Sequence, residues 1–201
     1  MPLRIACVVE GHGDVNAVPT VIRRVAQEVE PATSVVIPHP IRIPKGKLLR
    51  PGELERAVQL AAMQAGERGG ILILIDADDD CPAQLAPALL ARARTARGDV
   101  PLAVVLPKSE FESWFLAAAE SLRGHHGLPA DLQPPANPEA IRGAKEWIHR
   151  YMQGGYVPTL HQASLAAAFD IQLARRADSF DKCYREIARL LAIFREAGEV
   201  D

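Results

Sequence analysis

Few familiar signatures occur in this sequence, and each gap removes a class of chemistry. Three cysteines, Cys7, Cys81 and Cys183, are scattered through 201 residues with no CxxC spacing. Their odd number and spread argue against a disulfide framework and against a zinc site built from them. Cys7, inside an apolar run, reads as a buried reduced thiol. Positive charge is not in excess: the formal net charge is −2 and the isoelectric point is about 6.3. Such a chain does not coat nucleic acid by bulk electrostatics, which leaves only a local basic groove for that purpose. No apolar stretch approaches membrane-spanning length. The opening Met-Pro-Leu-Arg-Ile lacks the pattern of a signal peptide. The expected setting is the cytoplasm, with no membrane partner. No Gly-Lys-Ser/Thr follows Gly11 and Gly13, and Asn16 stands where a dinucleotide fingerprint needs its third glycine. Neither an HExxH pair nor a Gly-x-Ser-x-Gly elbow occurs, so zinc-protease and serine-hydrolase readings fall away.

What is present is enough for a sizeable core: 48% of residues are hydrophobic and 24% charged, an ordinary globular balance. Short continuous apolar runs at 4–9, 71–75 (Ile-Leu-Ile-Leu-Ile) and 102–106 predict strands buried on both faces. Residues 34–43 are β-branched but broken by Pro38 and Pro40, which predicts an edge or irregular strand. Between these runs, helical spacing predicts helices over 15–29, 53–64, 82–97 and 111–122, with Asp14 and Ser109 as N-caps and Pro19 in a first turn. Residues 45–52 read as a basic loop carrying Lys45, Lys47 and Arg50. The resulting β-α-β-α-β-α-β-α order predicts an α/β fold with a four-stranded parallel sheet flanked by helices. After Gly124 only helical patterns appear, at about 139–151, 159–174 and 179–196, with Ser179 an N-cap for the last. The expected division is an α/β domain over 1–123 and an α-helical extension over 124–201.

Ligands of open parallel sheets collect at the carboxyl ends of the strands. Two of the expected strands end in acids there. The first runs into Glu10-Gly11-His12-Gly13-Asp14, the third into Asp76-Ala77-Asp78-Asp79-Asp80. In an extended segment the side chains of Asp76 and Asp78 point the same way, and Glu10 joins them if the strands are neighbours. Carboxylates so close repel and raise one another's pKa unless a cation is present. Oxygen-only ligation suits Mg2+ or Mn2+. The plainer alternative is that the acids cap helices and fill a solvated loop. A third group, Lys108-Ser109-Glu110-Phe111-Glu112, follows the fourth strand. Glu110 and Glu112 are candidates for a second ion, or simply favour a helix N-terminus. Glycines 11 and 13 allow close approach of backbone to a ligand. His12 is a substrate-contact candidate or a plain loop histidine, and Lys108 a phosphate contact or a solvated lysine.

Glu10 after the first strand and Asp76-x-Asp78 after the third resemble the Toprim domain of topoisomerases, primases and overcoming-lysogenisation-defect nucleases. A closer resemblance, over nearly the whole chain, is to the bacterial domain-of-unknown-function family numbered 4276. It rests on Val9-Glu10-Gly11, Asp76-Ala77-Asp78-Asp79-Asp80, Glu110-Phe111-Glu112-Ser113-Trp114, Ala144-Lys145, Tyr156-x-Pro158-Thr159 and Ser179-Phe180. At His161-Gln162 this sequence departs from the pattern, which has an acid before the glutamine.

The Toprim likeness implies a Mg2+-dependent nuclease cleaving phosphodiester bonds. Glu10, Asp76 and Asp78 would be its catalytic and metal residues, and Asp80, Glu110 and Glu112 further ligands. Gly11, His12, Gly13, Asp14, Lys108 and Lys145 would contact substrate. Tyr156, His161 and Ser179 would line the cleft, or do ordinary helix-surface and capping work. Arg42, Lys45, Lys47 and Arg50 would track a nucleic-acid backbone, or form a solvated basic turn. Two alternatives stand beside the nuclease. One is a non-catalytic Toprim-like module partnering another protein such as an ATPase; the other is phosphoryl chemistry on a small nucleotide.

Overall fold

The apolar run at the N-terminus forms β1 (Leu3–Val9), buried almost throughout. The computed structural model describes residues 2–198. Alternate residues of β1 face opposite ways: Ile5, Cys7 and Val9 enter one core, Ala6 and Val8 the other. A strand with two buried faces needs helices on both, and the chain supplies them. α1 (Asp14–Val29) covers one face with Val18, Val21, Ile22 and Val25. α3 (Glu53–Ala65) covers the other with Leu54, Val58 and Ala61. Then come β4 (Gly69–Leu74), α4 (Pro82–Ala96) and β5 (Leu102–Val105). Fully burying each of these valine, leucine or isoleucine side chains contributes roughly 1.5–3 kcal/mol.

The sheet is parallel throughout but has five strands rather than four. Between α1 and α3 lie two short strands, β2 (Val35–Val36) and β3 (Ile41–Arg42), and both pair with β1. Pro38 and Pro40 fall between them. Proline has no N–H to give to a ladder, so one edge strand becomes two pieces, at Leu3–Arg4 and at Val8–Val9 of β1. The order across the sheet is β2-β1-β4-β5, with β3 beside β2 along the same edge of β1. Strands β1 and β4 are therefore adjacent, with Val9 opposite Leu74. This register brings the residues that follow them, Glu10 and Asp76, to one end of the sheet.

Local structure departs from the sequence pattern at several points near that end. Residues 45–52 are not simply a loop: Lys45–Leu48 forms a short helix, α2. The expected helix 111–122 is α5 (Ser113–Ala117) followed by a 3-10 turn, Ala119–Leu122. Ser109 does not cap it; its φ of 64° lies in the left-handed region, and the Phe111 N–H is taken by Asp76 Oδ1 at 2.8 Å. Asp14 lies inside the first turn of α1 rather than capping it, and Pro19 sits further into that helix.

The later segment is helical: α6 (Ala144–Tyr151), α7 (Pro158–Ala168), α8 (Ile171–Ala174) and α9 (Asp178–Gly198). Ile148, Leu165, Phe169, Phe180, Ile187 and Leu190 share one core with Ile5, Cys7 and Leu72 of the sheet. Helix α9 packs on β5 and α1, and α7 on α1. Ser179 is not the cap of α9: the Glu139 carboxylate accepts the N–H groups of Asp178 and Ser179, while the Ser179 hydroxyl accepts from Trp114 Nε1 at 2.8 Å. Among the described residues no helix is long and apolar enough to cross a membrane.

Candidate functional site

The adjacency of β1 and β4 fixes the first two carboxylates. Glu10 leaves β1 and Asp76 follows β4 by two residues. Glu10 Oε2 is buried and has no hydrogen-bond partner among the described residues. Burial raises this carboxyl; the backbone N–H of Lys45, the Lys45 charge and the Asp76 N–H counter it in part, and the nearby Asp78 charge adds to the rise. Asp76 is pushed well above the usual carboxylate range. Burial is the main cause, Lys145 offsets some of it, and Glu112, Asp14 and Glu10 add to it. Removing charged groups from water favours the neutral form, so both residues store unfavourable electrostatics.

The third acidic group joins them. Glu112 is fully buried, and its Oε1 accepts from the Tyr156 hydroxyl at 2.9 Å. Burial raises the Glu112 carboxyl, partly offset by Lys145 and Tyr156. Glu110 Oε2 accepts the backbone N–H of Lys145 at 3.0 Å, at the start of α6. The Lys145 ammonium then lies 3.0 Å from Glu110 Oε1, 3.3 Å from Glu112 Oε2 and 3.4 Å from Asp76 Oδ2. Burial alone would lower Lys145, but the Glu112, Asp76 and Glu110 charges outweigh it and hold its pKa raised.

Asp78 and Asp80 go elsewhere. Asp78 has φ of 50°, in the left-handed region, so the extended geometry that would aim it with Asp76 ends there. Its Oδ2 lies 2.9 Å from Lys45 Nζ, which also reaches Asp80 Oδ2 at 3.0 Å and the Ala77 carbonyl at 2.6 Å. Lys45 is buried, so it is no free contact for a nucleic-acid backbone. Lys47 lies 3.7 Å from Glu53, while Arg42 and Arg50 are exposed.

The Glu10 loop is braced from the helical segment. Asp14 is buried; one oxygen accepts the Gly11 N–H at 2.7 Å and the other accepts Gln162 Nε2 at 2.7 Å. Gly13 has an ordinary helical φ of −67°, so its need is for space. A Cβ there would come within 1.9 Å of Gln162 Oε1 and 3.0 Å of the Pro158 carbonyl. Gly13→Ala is expected to destabilise by about 1–3 kcal/mol, the scale of overpacking, read as a lower urea midpoint with unchanged slope.

The structure thus brings together Glu10, Gly11, Gly13, Asp14, Asp76, Glu110, Glu112 and Lys145, with Asp78 and Asp80 at their edge on Lys45. His12 and Lys108 are exposed. His161 accepts the Val157 N–H within its own helix start. The Gln162–Asp14 brace and the Lys45 ion pairs carry no local sequence signal, because each joins residues remote in the chain.

Residues 9–188 match the family described as Domain of unknown function (DUF4276). The chain belongs to that family. No curated protein and no solved structure matches it. The matched span includes every carboxylate of the site in this DUF4276 chain, together with Lys145 and Tyr156.

Among the described residues, no three His, Cys, Asp or Glu side chains are drawn together tightly enough to hold a metal ion as they stand. Mg2+ does not demand three, since it is commonly bound through one or two carboxylates plus water and substrate phosphate. Glu10, with its unpartnered buried oxygen, and Asp76 fit that habit.

Proposed function

We propose that this chain is a divalent-metal-dependent phosphodiesterase of Toprim type acting on nucleic acid. The observation that carries the reading is the buried Glu10 oxygen, without a hydrogen-bond partner among the described residues, beside the half-buried Asp76 carboxyl at the carboxyl ends of two adjacent parallel strands. An unsatisfied buried carboxylate is expensive in a fold that has no use for it. Glu10 and Asp76 would hold Mg2+ or Mn2+. When bound, such an ion supplies Lewis-acid activation of a phosphoryl oxygen and of water.

The remaining work belongs to the chain's own groups. Glu10, raised by burial, is suited to exchanging a proton closer to neutral pH than an ordinary carboxyl. Lys145 keeps a positive charge beside Asp76. The exposed Arg42 and Arg50 would neutralise backbone phosphates. The Asp14–Gln162 bond fixes the Gly11–Gly13 turn against which a substrate would lie.

A second reading has one observation in its favour. Lys45 and Lys145 already pair with Asp76, Asp78, Asp80, Glu110 and Glu112. A site compensated this way suits a non-catalytic module that binds a protein partner such as an ATPase. Supercoiled plasmid and single-stranded DNA and RNA, incubated with Mg2+ or Mn2+, separate the two. The nuclease reading expects cleavage that falls about 10²-fold or more in both Glu10→Gln and Asp76→Asn, the scale of a positioned acid–base group. Equal products from wild type and both variants, or none from any, would favour the binding module.

A further inference from the structure

Glu110, Glu112 and Asp76 look by composition like the ligands of a second metal ion, yet their oxygens are gathered round an ammonium. Lys145 Nζ lies 3.0, 3.3 and 3.4 Å from Glu110, Glu112 and Asp76 respectively. Each neighbour has its other oxygen, or its backbone, committed to holding that arrangement. Glu112 Oε1 is anchored by Tyr156, Asp76 Oδ1 by the Phe111 N–H, and Glu110 Oε2 by the Lys145 N–H itself. The oxygens left over are those that face Lys145. Glu112 Oε2 is fully buried and, among the described residues, has no hydrogen-bond partner, only this ion pair. The Glu10 oxygen, also beside Asp76, has no hydrogen-bond partner among the described residues, and of the two lysines it is Lys45, not Lys145, whose charge acts on it.

We infer that the Lys145 ammonium permanently fills the second-cation position, so that the centre takes one divalent ion, at Glu10 and Asp76, and not two. This rests on the proposed metal site for its first ion, but the assignment of Lys145 does not. A fixed ammonium supplies one positive charge without ligand exchange, and it stays in place whether or not a divalent ion is bound. It also keeps Asp76 aimed between the two positions, which makes Lys145 a positioning residue for a metal ligand. Glu110 links this cation to the fold, because its carboxylate grips both the backbone and the side chain of the same lysine.

The inference is tested by counting ions with Mn2+ alone as the probe. Calorimetric titration of wild type, Lys145→Ala, Lys145→Gln and Lys145→Arg gives the stoichiometry, and thermal melting with and without Mn2+ gives an independent readout. Wild type and Lys145→Arg are expected to bind one ion. The two neutral variants are expected to bind one more, the three carboxylates closing by roughly 1 Å from ammonium to metal distances. Mn2+ should raise their melting temperatures more than it raises that of wild type. If Lys145→Ala does not fold without metal, its folding on addition of Mn2+ gives the same answer, and Lys145→Gln gives it again. Two ions in wild type, or no gained ion in either neutral variant, overturns the inference. No ion in wild type with one gained in the neutral variants overturns the Glu10–Asp76 metal site while upholding the assignment of Lys145.

Discussion

Replacing Lys145 with alanine is expected to lower stability by about 3 kcal/mol at pH 7–8. That is the lower end of what it costs to leave buried charges without their partner; the lysine side chain is 35% exposed, so solvent screens part of the pairing. Glu112 is fully buried and would face Asp76 and Glu110 with no cation between them. The loss is expected to be pH-dependent, and the direction follows from proton linkage. Glu112 and Asp76 have folded pKa values raised above their unfolded ones. A raised carboxyl binds its proton more readily folded than unfolded. Its contribution is fully present below the unfolded value and is lost as pH rises through the folded one. Without Lys145 both values rise further, so the variant should regain stability as pH falls toward 5 while wild type changes less. Glu112→Gln in the Lys145→Ala background should recover much of the loss at neutral pH. Urea midpoints of the three proteins between pH 5 and 8 give the answer directly. A pH-independent loss would assign Lys145 a packing role through its aliphatic stem.

Glu10→Gln is expected to behave in the opposite sense. In metal-free buffer at neutral pH it should leave stability unchanged or raise it by about 0.5–1 kcal/mol, the gain usual for relieving a strained functional group. The cause is that Glu10 Oε2 has no hydrogen-bond partner to lose among the described residues, while burial and the Asp78 charge oppose its ionisation more than the Lys45 charge and the Lys45 and Asp76 N–H groups favour it. Glu10 has a raised folded pKa, so wild-type stability should decline as pH rises through that value, and the glutamine variant should lack that decline. Metal reverses the ranking. A divalent ion at a hundredfold excess over its dissociation constant stabilises the folded chain by about 2.7 kcal/mol, and the glutamine variant should lose that increment. Melting curves with and without Mn2+ measure both halves. A variant less stable than wild type without metal would make Glu10 a structural residue.

Much of the scaffold could be read from residue order. The Ile-Leu-Ile-Leu-Ile run is the buried β4 that pairs with β1 and β5, and helices appear where apolar residues recur at helical spacing. The edge was half legible: Pro38 and Pro40 signalled an edge position, but one strand became two because each short piece pairs with a different end of β1. At the site, acids at strand ends could be recognised by type, but not the cations that meet them. Lys145 is 35 residues from Glu110 and 69 from Asp76, and Lys45 is 33 from Asp78. No local periodicity encodes such pairs; they exist because helix α6 and the short helix α2 come to rest at the same end of the sheet. The turn at Asp78 was hidden for a related reason. A left-handed backbone at a non-glycine residue is stabilised by its surroundings, here the Asp78 N–H to Ser109 carbonyl bond of 2.9 Å and the Lys45 pair.

The two lysines change the meaning of the acidic cluster. Carboxylates held by ammonium groups can be structural; among the described residues the Glu10 oxygen has no hydrogen-bond partner, and its neighbour Asp76 stays raised by burial although Lys145 lies beside it. Calorimetric titration of Mg2+ and Mn2+ into wild type beside Glu10→Gln therefore tests the central claim most directly. The account predicts one ion bound by wild type, with affinity increasing from pH 5 to 8 as the carboxylates ionise, and binding at least about 10²-fold weaker in the variant, at or beyond the scale of losing a supporting group. Equal binding by both proteins, or none by wild type at any pH in that range, would contradict it.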